Sequence, residues 1–215
     1  MPLHLRVGAI SGFAVSTLGC AYAAILAIGL VSLPAPDQAI QNPWFTLMEV
    51  LILCIAPAMV GLTVGLYYWT SAERRAIATL SVLFMSMCAT VTSCVHFAVL
   101  ALSRHTAFAN SDWAALVFSF RWPSVMYALD ILAWDVFFPL GALFAAFAVH
   151  GAGLARLART LLLGSSALAF IGLAGVPLAN MSIRNIGIIG YAVLFPIAAF
   201  LLSLIFRRSA AQSAA

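Results

Sequence analysis

The sequence predicts an all-α, polytopic membrane helix bundle with six transmembrane helices and both termini cytoplasmic. Three observations predict it. Hydrophobic residues make up 65% of the 215 and charged residues only 7%, against about 25% charged in a soluble domain; mean hydropathy is +1.11. Such a chain cannot cover its own surface in water, so its solvent is lipid. Apolar runs of roughly the 20 residues that cross a bilayer recur along the chain, leaving no room for a separate soluble unit, so residues 1–215 are expected to form a single membrane domain. The third observation is the placing of the arginines. With the N-terminus in the cytoplasm, Arg6, Arg74, Arg75, Arg156, Arg159, Arg207 and Arg208 fall inside, and Arg104, Arg121 and Arg184 outside. That bias sets orientation by the positive-inside rule.

The first span is expected at about 7–33, with Gly8, Ser11, Gly12, Ser16 and Gly19 as small residues for close helix contact. Cys20 follows Thr17-Leu18-Gly19, a weak likeness to a lipoprotein cleavage site, but the apolar run continues to Leu33 and predicts an uncleaved span. Pro34-Ala35-Pro36-Asp37 ends it. Asn42 is expected to cap the second span, about 45–69, with Pro43 at its first helical position. That span carries Glu49 one turn in, Pro57 near its middle, and a Tyr67-Tyr68-Trp69 belt.

The third span, about 76–103, carries a polar ladder of Ser86, Thr90 and Ser93, with Thr92 and His96 on a neighbouring face. The connection that follows contains an expected interfacial or re-entrant helix at 112–120, capped by Asn110 or Ser111. The fourth span, about 124–149, opens after Arg121-Trp122-Pro123, holds Asp130 and Asp135, and is broken by Pro139. Charged residues at membrane depth cost about 3 kcal/mol or more, so they persist only where paired, hydrated or protonated. The fifth span is expected at about 161–179. Asn180–Asn185 forms a polar turn, and the sixth span, about 186–206, carries Tyr191 and Pro196.

This topology gathers the strongly polar intramembrane residues into one half of the bundle, the half expected to face out. The candidate polar site is Glu49, His96, Arg121, Tyr127, Asp130, Asp135, Asn180, Arg184 and Tyr191. Tyr127, Asp130 and Trp134 share a face. Asp130 and Asp135 are five apart and project about 140° from each other on an ideal helix. Pro139 releases the carbonyl of Asp135 from its helical bond. Asp130 pairing with Arg121 or Arg184 to tie helices together is the structural alternative to a functional role.

Several chemistries are excluded or unsupported. The chain contains no lysine, so a retinal Schiff base is impossible, and no cofactor is predicted. Cys20, Cys54, Cys88 and Cys94 lie inside spans without a CxxC pair and are expected as small core residues. Glu49, His96 and Asp130 could supply metal ligands, but no spacing motif supports a metal, and none is expected. His96 and His150 fall on opposite sides, against a bis-histidine haem. Hydrolase, zinc-protease, nucleotide and dinucleotide fingerprints are all missing, so the reading leans away from an enzyme. The positive charge is read as topology, with no nucleic-acid partner; the expected partners are the lipid bilayer and a homo-oligomer or larger membrane complex.

Ser124-Val125-Met126-Tyr127-Ala128-Leu129-Asp130, then Leu143-Phe144-Ala145-Ala146, Phe206-Arg207-Arg208 and the Glu73–Arg75 turn resemble a group of bacterial six-helix membrane proteins to which no activity is assigned. The resemblance covers most of the chain loosely and implies the bacterial inner membrane. Three functional readings follow from the residues: proton-linked transport or binding of a small solute at an outward-facing polar pocket, a non-catalytic subunit of a larger membrane complex, or an intramembrane enzyme acting on a lipid or isoprenoid.

Overall fold

A computed structural model describes residues 1–35, 38, 40–109 and 111–212. Those residues are helical with no strand. Six helices are long and apolar enough to cross a membrane, and the chain is a multi-pass membrane protein. They are the first helix, Leu3–Val31; the second, Trp44–Trp69; the third, Arg75–Leu102, led in by a 3-10 turn at Ala72–Arg74; the fourth, Val125–Ala148; the fifth, Leu154–Leu173; and the sixth, Met181–Gln212.

Neighbours in sequence are neighbours in space, and the sixth helix closes back on the first, so the six form a ring in chain order. The centre is filled by Met59, Leu62, Met85, Phe138, Phe195 and Phe206. The fourth helix is the most deeply buried span. Small residues set the close approaches. A Cβ on Gly65 would lie 2.3 Å from the Gly8 Cα, and one on Gly12 would lie 2.6 Å from the Ala199 carbonyl oxygen. The glycines expected to allow close contact therefore join the first helix to the second and sixth.

Several local expectations need correction. The second helix starts at Trp44, and Asn42 does not cap its backbone: its side-chain oxygen accepts the Thr46 hydroxyl at 2.7 Å. The ladder Ser86, Thr90 and Ser93 does not line the core. The buried stripe of the third helix is Ser81, Met85, Cys88, Thr92, Val95, His96 and Val99, because the other helices meet that neighbouring face. Only Cys88 is a core cysteine; Cys20, Cys54 and Cys94 face outward. Within the helix expected at 112–120 the structure has one short turn, Ala114–Phe118, and another precedes that range at Thr106–Ala109. Pro36, Asp37 and the proposed cap Asn110 lie outside the described residues.

The fifth helix is displaced from the expected 161–179. It begins at Leu154, directly after Gly153 in a left-handed conformation (φ 60°), and takes Arg156 and Arg159 into its first turns. It stops at Leu173, before Gly175 and Pro177. The sixth helix starts earlier than expected, at Met181, and Arg184 thereby becomes part of a helical segment instead of a loop.

Candidate functional site

Arg184 reaches the core because the end of the fifth helix makes room for its backbone. A Cβ on Gly175 would lie 2.5 Å from the Arg184 nitrogen, and one on Gly172 would lie 2.7 Å from the Arg184 carbonyl oxygen. No larger residue permits that approach. Asn180 caps the Met181–Arg184 turn, its side-chain oxygen accepting from the Ser182 and Ile183 amides. Arg184 itself is buried, aimed at the fourth helix.

The fourth helix meets it with two carboxylates. An ideal α-helix would point Asp130 and Asp135 about 140° apart. Here residues Leu132–Phe137 form a π turn, between α-helical segments Val125–Ile131 and Phe138–Ala148. A π turn closes on the fifth residue instead of the fourth, so positions five apart come to one face. Both aspartates consequently reach one guanidinium: Arg184 Nε donates to Asp135 Oδ2 at 3.0 Å, and Nη2 to Asp130 Oδ2 at 3.4 Å. A second π turn, Gly190–Leu194, interrupts the sixth helix. Each π turn is followed by a proline, Pro139 or Pro196. The fifth helix supports both interruptions: Ser166 donates to the Pro139 carbonyl at 2.8 Å and Ser165 to the Gly190 carbonyl at 2.9 Å.

From Asp130 the network continues into the third and second helices. His96 Nε2 lies 3.5 Å from Asp130 Oδ1, and His96 Nδ1 lies 2.9 Å from Glu49 Oε2. Glu49, His96, Asp130, Arg184 and Asp135 thus alternate acid and base across four helices, all of them buried. Carboxylates face both imidazole nitrogens, a geometry that the doubly donating imidazolium satisfies. Three carboxylates thus share one imidazole and one guanidinium. Among the described residues, the buried Asp135 Oδ1 has no hydrogen-bond partner, and it sits against Gly187, whose Cβ would fall 2.8 Å away.

Aromatic rings roof the network. The Phe120 ring stacks on His96 at 5.2 Å, and the Arg184 Cζ lies 5.1 Å from the Tyr127 ring and 6.0 Å from that of Tyr191. Ser124 holds this roof in place: it caps the fourth helix by accepting from the Tyr127 amide, and its hydroxyl donates to the Ser119 carbonyl. Above it, Phe120, Arg121, Trp122, Tyr127, Ala179 and Met181 line a shallow cleft of about 380 Å³. Where the sequence predicts an outward-facing polar pocket, the acids and bases lie buried against one another beneath this cleft.

The geometry brings together seven of the nine candidate residues: Glu49, His96, Tyr127, Asp130, Asp135, Arg184 and Tyr191. Arg121 and Asn180 remain at the surface of the same end. Sequence reasoning missed Phe120, Ser165, Ser166, Gly187 and Tyr22. Tyr22, on the first helix, lies within electrostatic range of Asp130, Glu49 and Arg184. The one available signal was the run of small residues Gly172, Gly175, Gly187 and Gly190 around Arg184. Among the described residues, no group of three or more His, Cys, Asp or Glu side chains is arranged to hold a metal ion.

The chain matches no known protein family, no curated protein and no solved structure. Its chemistry is therefore argued from the network alone. Glu49, His96 and Asp130 can pass a proton among themselves by small shifts, whereas the Arg184 guanidinium keeps its proton and only pairs with Asp130 and Asp135; the same contacts can fasten four helices together. The surplus carboxylate is what distinguishes these roles, since a fastening needs balanced charge.

Proposed function

We propose that this is a proton-linked membrane protein that binds or transports a small solute at the end of the bundle holding the network. The carrying observation is the row of contacts from Glu49 to Asp135, three acids to two bases, ending in a buried oxygen that has no hydrogen-bond partner among the described residues. A buried ion-pair set costs desolvation that is not fully returned, so an incomplete one is poor design for stability alone. The π turns in the fourth and sixth helices support the same reading, since such turns collect at functional sites. An unbalanced network beside interrupted helices is suited to exchanging a proton when a solute arrives.

We place this end outward and both termini in the cytoplasm, since seven arginines lie toward the other end and three toward this one. The bacterial inner membrane is the corresponding location. The enzyme reading draws less support, because carboxylates occupy both ring nitrogens of His96 and leave neither for a substrate. The test is native mass spectrometry of protein gently extracted from its own membrane, followed by binding of the co-purified solute across pH. A protomer or homo-oligomer carrying a small molecule is expected, with pH-dependent rebinding lost in Asp135→Asn. Stoichiometric partner proteins with no small molecule, or unchanged pH dependence in the variant, would overturn the proposal in favour of a subunit role.

A further inference from the structure

We infer that Phe120 is the gate of the proton path, a ring that closes the surface cleft off from His96 and swings aside to let a proton enter the buried network. This rests on the proton-linked reading and assigns the route its proton takes. The first supporting observation is the place of the ring. Phe120 is half-buried and lines the cleft. Its ring also stacks on the His96 imidazole, with centroids 5.2 Å and planes 26° apart. His96 beneath it is buried. One aromatic ring thus stands between the cleft and the network.

The second observation is what each roofing ring covers. Tyr127, the other ring shared by cleft and network, lies beside Arg184. A guanidinium keeps its proton, whereas an imidazole takes one up and gives it away near neutral pH. Of the two rings, Phe120 is therefore the one that covers a group able to pass a proton on. Glu49 and Asp130 stand at the two nitrogens of His96 to receive it. The third observation is how the ring is held. Phe120 belongs to no span; it follows the short Ala114–Phe118 turn in the connection before the fourth helix. Ser124 tethers it, donating its hydroxyl to the Ser119 carbonyl while accepting from the Tyr127 amide. The ring can therefore swing without displacing a transmembrane helix. Around His96 and its two acids, Tyr22 of the first helix is in electrostatic range of both acids, Cys88 of the third is in range of Asp130, and Arg184 of the sixth pairs with Asp130. The fifth helix brings the uncharged Ser165 and Ser166. Arg121 adjoins Phe120 on the cleft wall. Asp130, with 12% of its side chain exposed, is the rival point of entry.

The experiment uses the detergent-solubilised full chain with isotope-labelled histidine. Nuclear magnetic resonance reads how fast each imidazole N–H exchanges its proton with water, and the His96 signal is the one lost in His96→Gln. Exchange at a buried group waits for a local opening, so the wild-type His96 signal is expected to be protected. Phe120→Ala is expected to abolish that protection, and Phe120→Trp, which keeps a ring, to preserve it. Ser124→Ala keeps the Phe120 ring but removes its tether, and is expected to speed exchange; it carries the test if Phe120→Ala does not fold. Trp122→Ala, which removes another ring of the cleft wall, is expected to leave His96 protected. Free exchange in the wild type, or protection retained in both Phe120→Ala and Ser124→Ala, would overturn the gate, the second result in favour of entry at Asp130. Proton titration of the ligand-free wild type against Asp135→Asn separates the two levels. A proton titrated by the wild type and missing from Asp135→Asn, with His96 equally protected in the gate variants, rejects the gate and leaves the proton-linked reading standing. No such proton rejects both.

Discussion

At the scale of single residues, the buried Arg184 guanidinium ties two carboxylates, Asp130 and Asp135. Removing one partner of a buried pair typically costs about 3–5 kcal/mol, because the charges left behind have nothing to offset their desolvation. Arg184→Leu is therefore expected to lower the thermal unfolding temperature in detergent sharply. Adding Asp130→Asn and Asp135→Asn to that variant should recover most of the loss. If the triple variant is no more stable than the single one, Arg184 is not held there by its charge. Gly187 gives a second residue-scale prediction. Its missing Cβ leaves the space that Asp135 Oδ1 occupies, so Gly187→Ala must displace the carboxylate from Arg184. The expected cost is about 1–3 kcal/mol, as for other overpacking changes, with loss of pH-dependent solute binding. Wild-type stability and binding in Gly187→Ala would contradict this packing.

Among the elements, the π turn of the fourth helix decides the site. It spends one extra residue to swing Asp135 onto the face of Asp130. Deleting Ala133, inside that turn, should restore an ordinary α-helix in which the two carboxylates, now four apart, still share a face. The expected result is a protein with unchanged helical content by circular dichroism that keeps pH-linked binding. Lost binding would mean that the π turn positions more than these two carboxylates. Pro139 was legible as a break in the fourth helix, but the consequence drawn from it, a released carbonyl, was not the main one. An α-helical periodicity applied to Asp130 and Asp135 separates them, and nothing in the local residues announces a π turn. The start of the fifth helix was likewise misplaced: Arg156 and Arg159 suggested a loop, whereas charged residues sit comfortably on the exposed side of a helical first turn.

For the whole molecule, the ring of six helices rests on the contact of the first helix with the second and sixth. Gly8 and Gly65 meet backbone to backbone. Gly65→Val should wedge these helices apart and destabilise the fold by about 1–3 kcal/mol or more, read as earlier thermal unfolding, while Gly153→Ala, with nothing near its Cβ, should show only the smaller cost of its left-handed backbone. Orientation belongs to this scale too. In a variant lacking the native cysteines, Ser71→Cys is expected to be shielded from a membrane-impermeant thiol reagent in intact cells and Ser119→Cys to be labelled. The reverse pattern would invert the proposed topology and move the network to the cytoplasmic side.

The six spans, their approximate limits and the gathering of polar residues at one end were readable from the chain alone. Hydropathy, span length and helix direction are sums over neighbouring residues, and every term is present in the sequence. The partners within the polar group were not readable in the same way. That Arg184 pairs with both aspartates, that His96 bridges Glu49 and Asp130, and that Phe120 covers it depend on how each helix is rotated and shifted against the next. Those rotations are set by glycine contacts and π turns between residues far apart in the chain. Sequence composition determined that charge would be buried in a membrane bundle; tertiary packing alone decided which charges meet, and left one acid over.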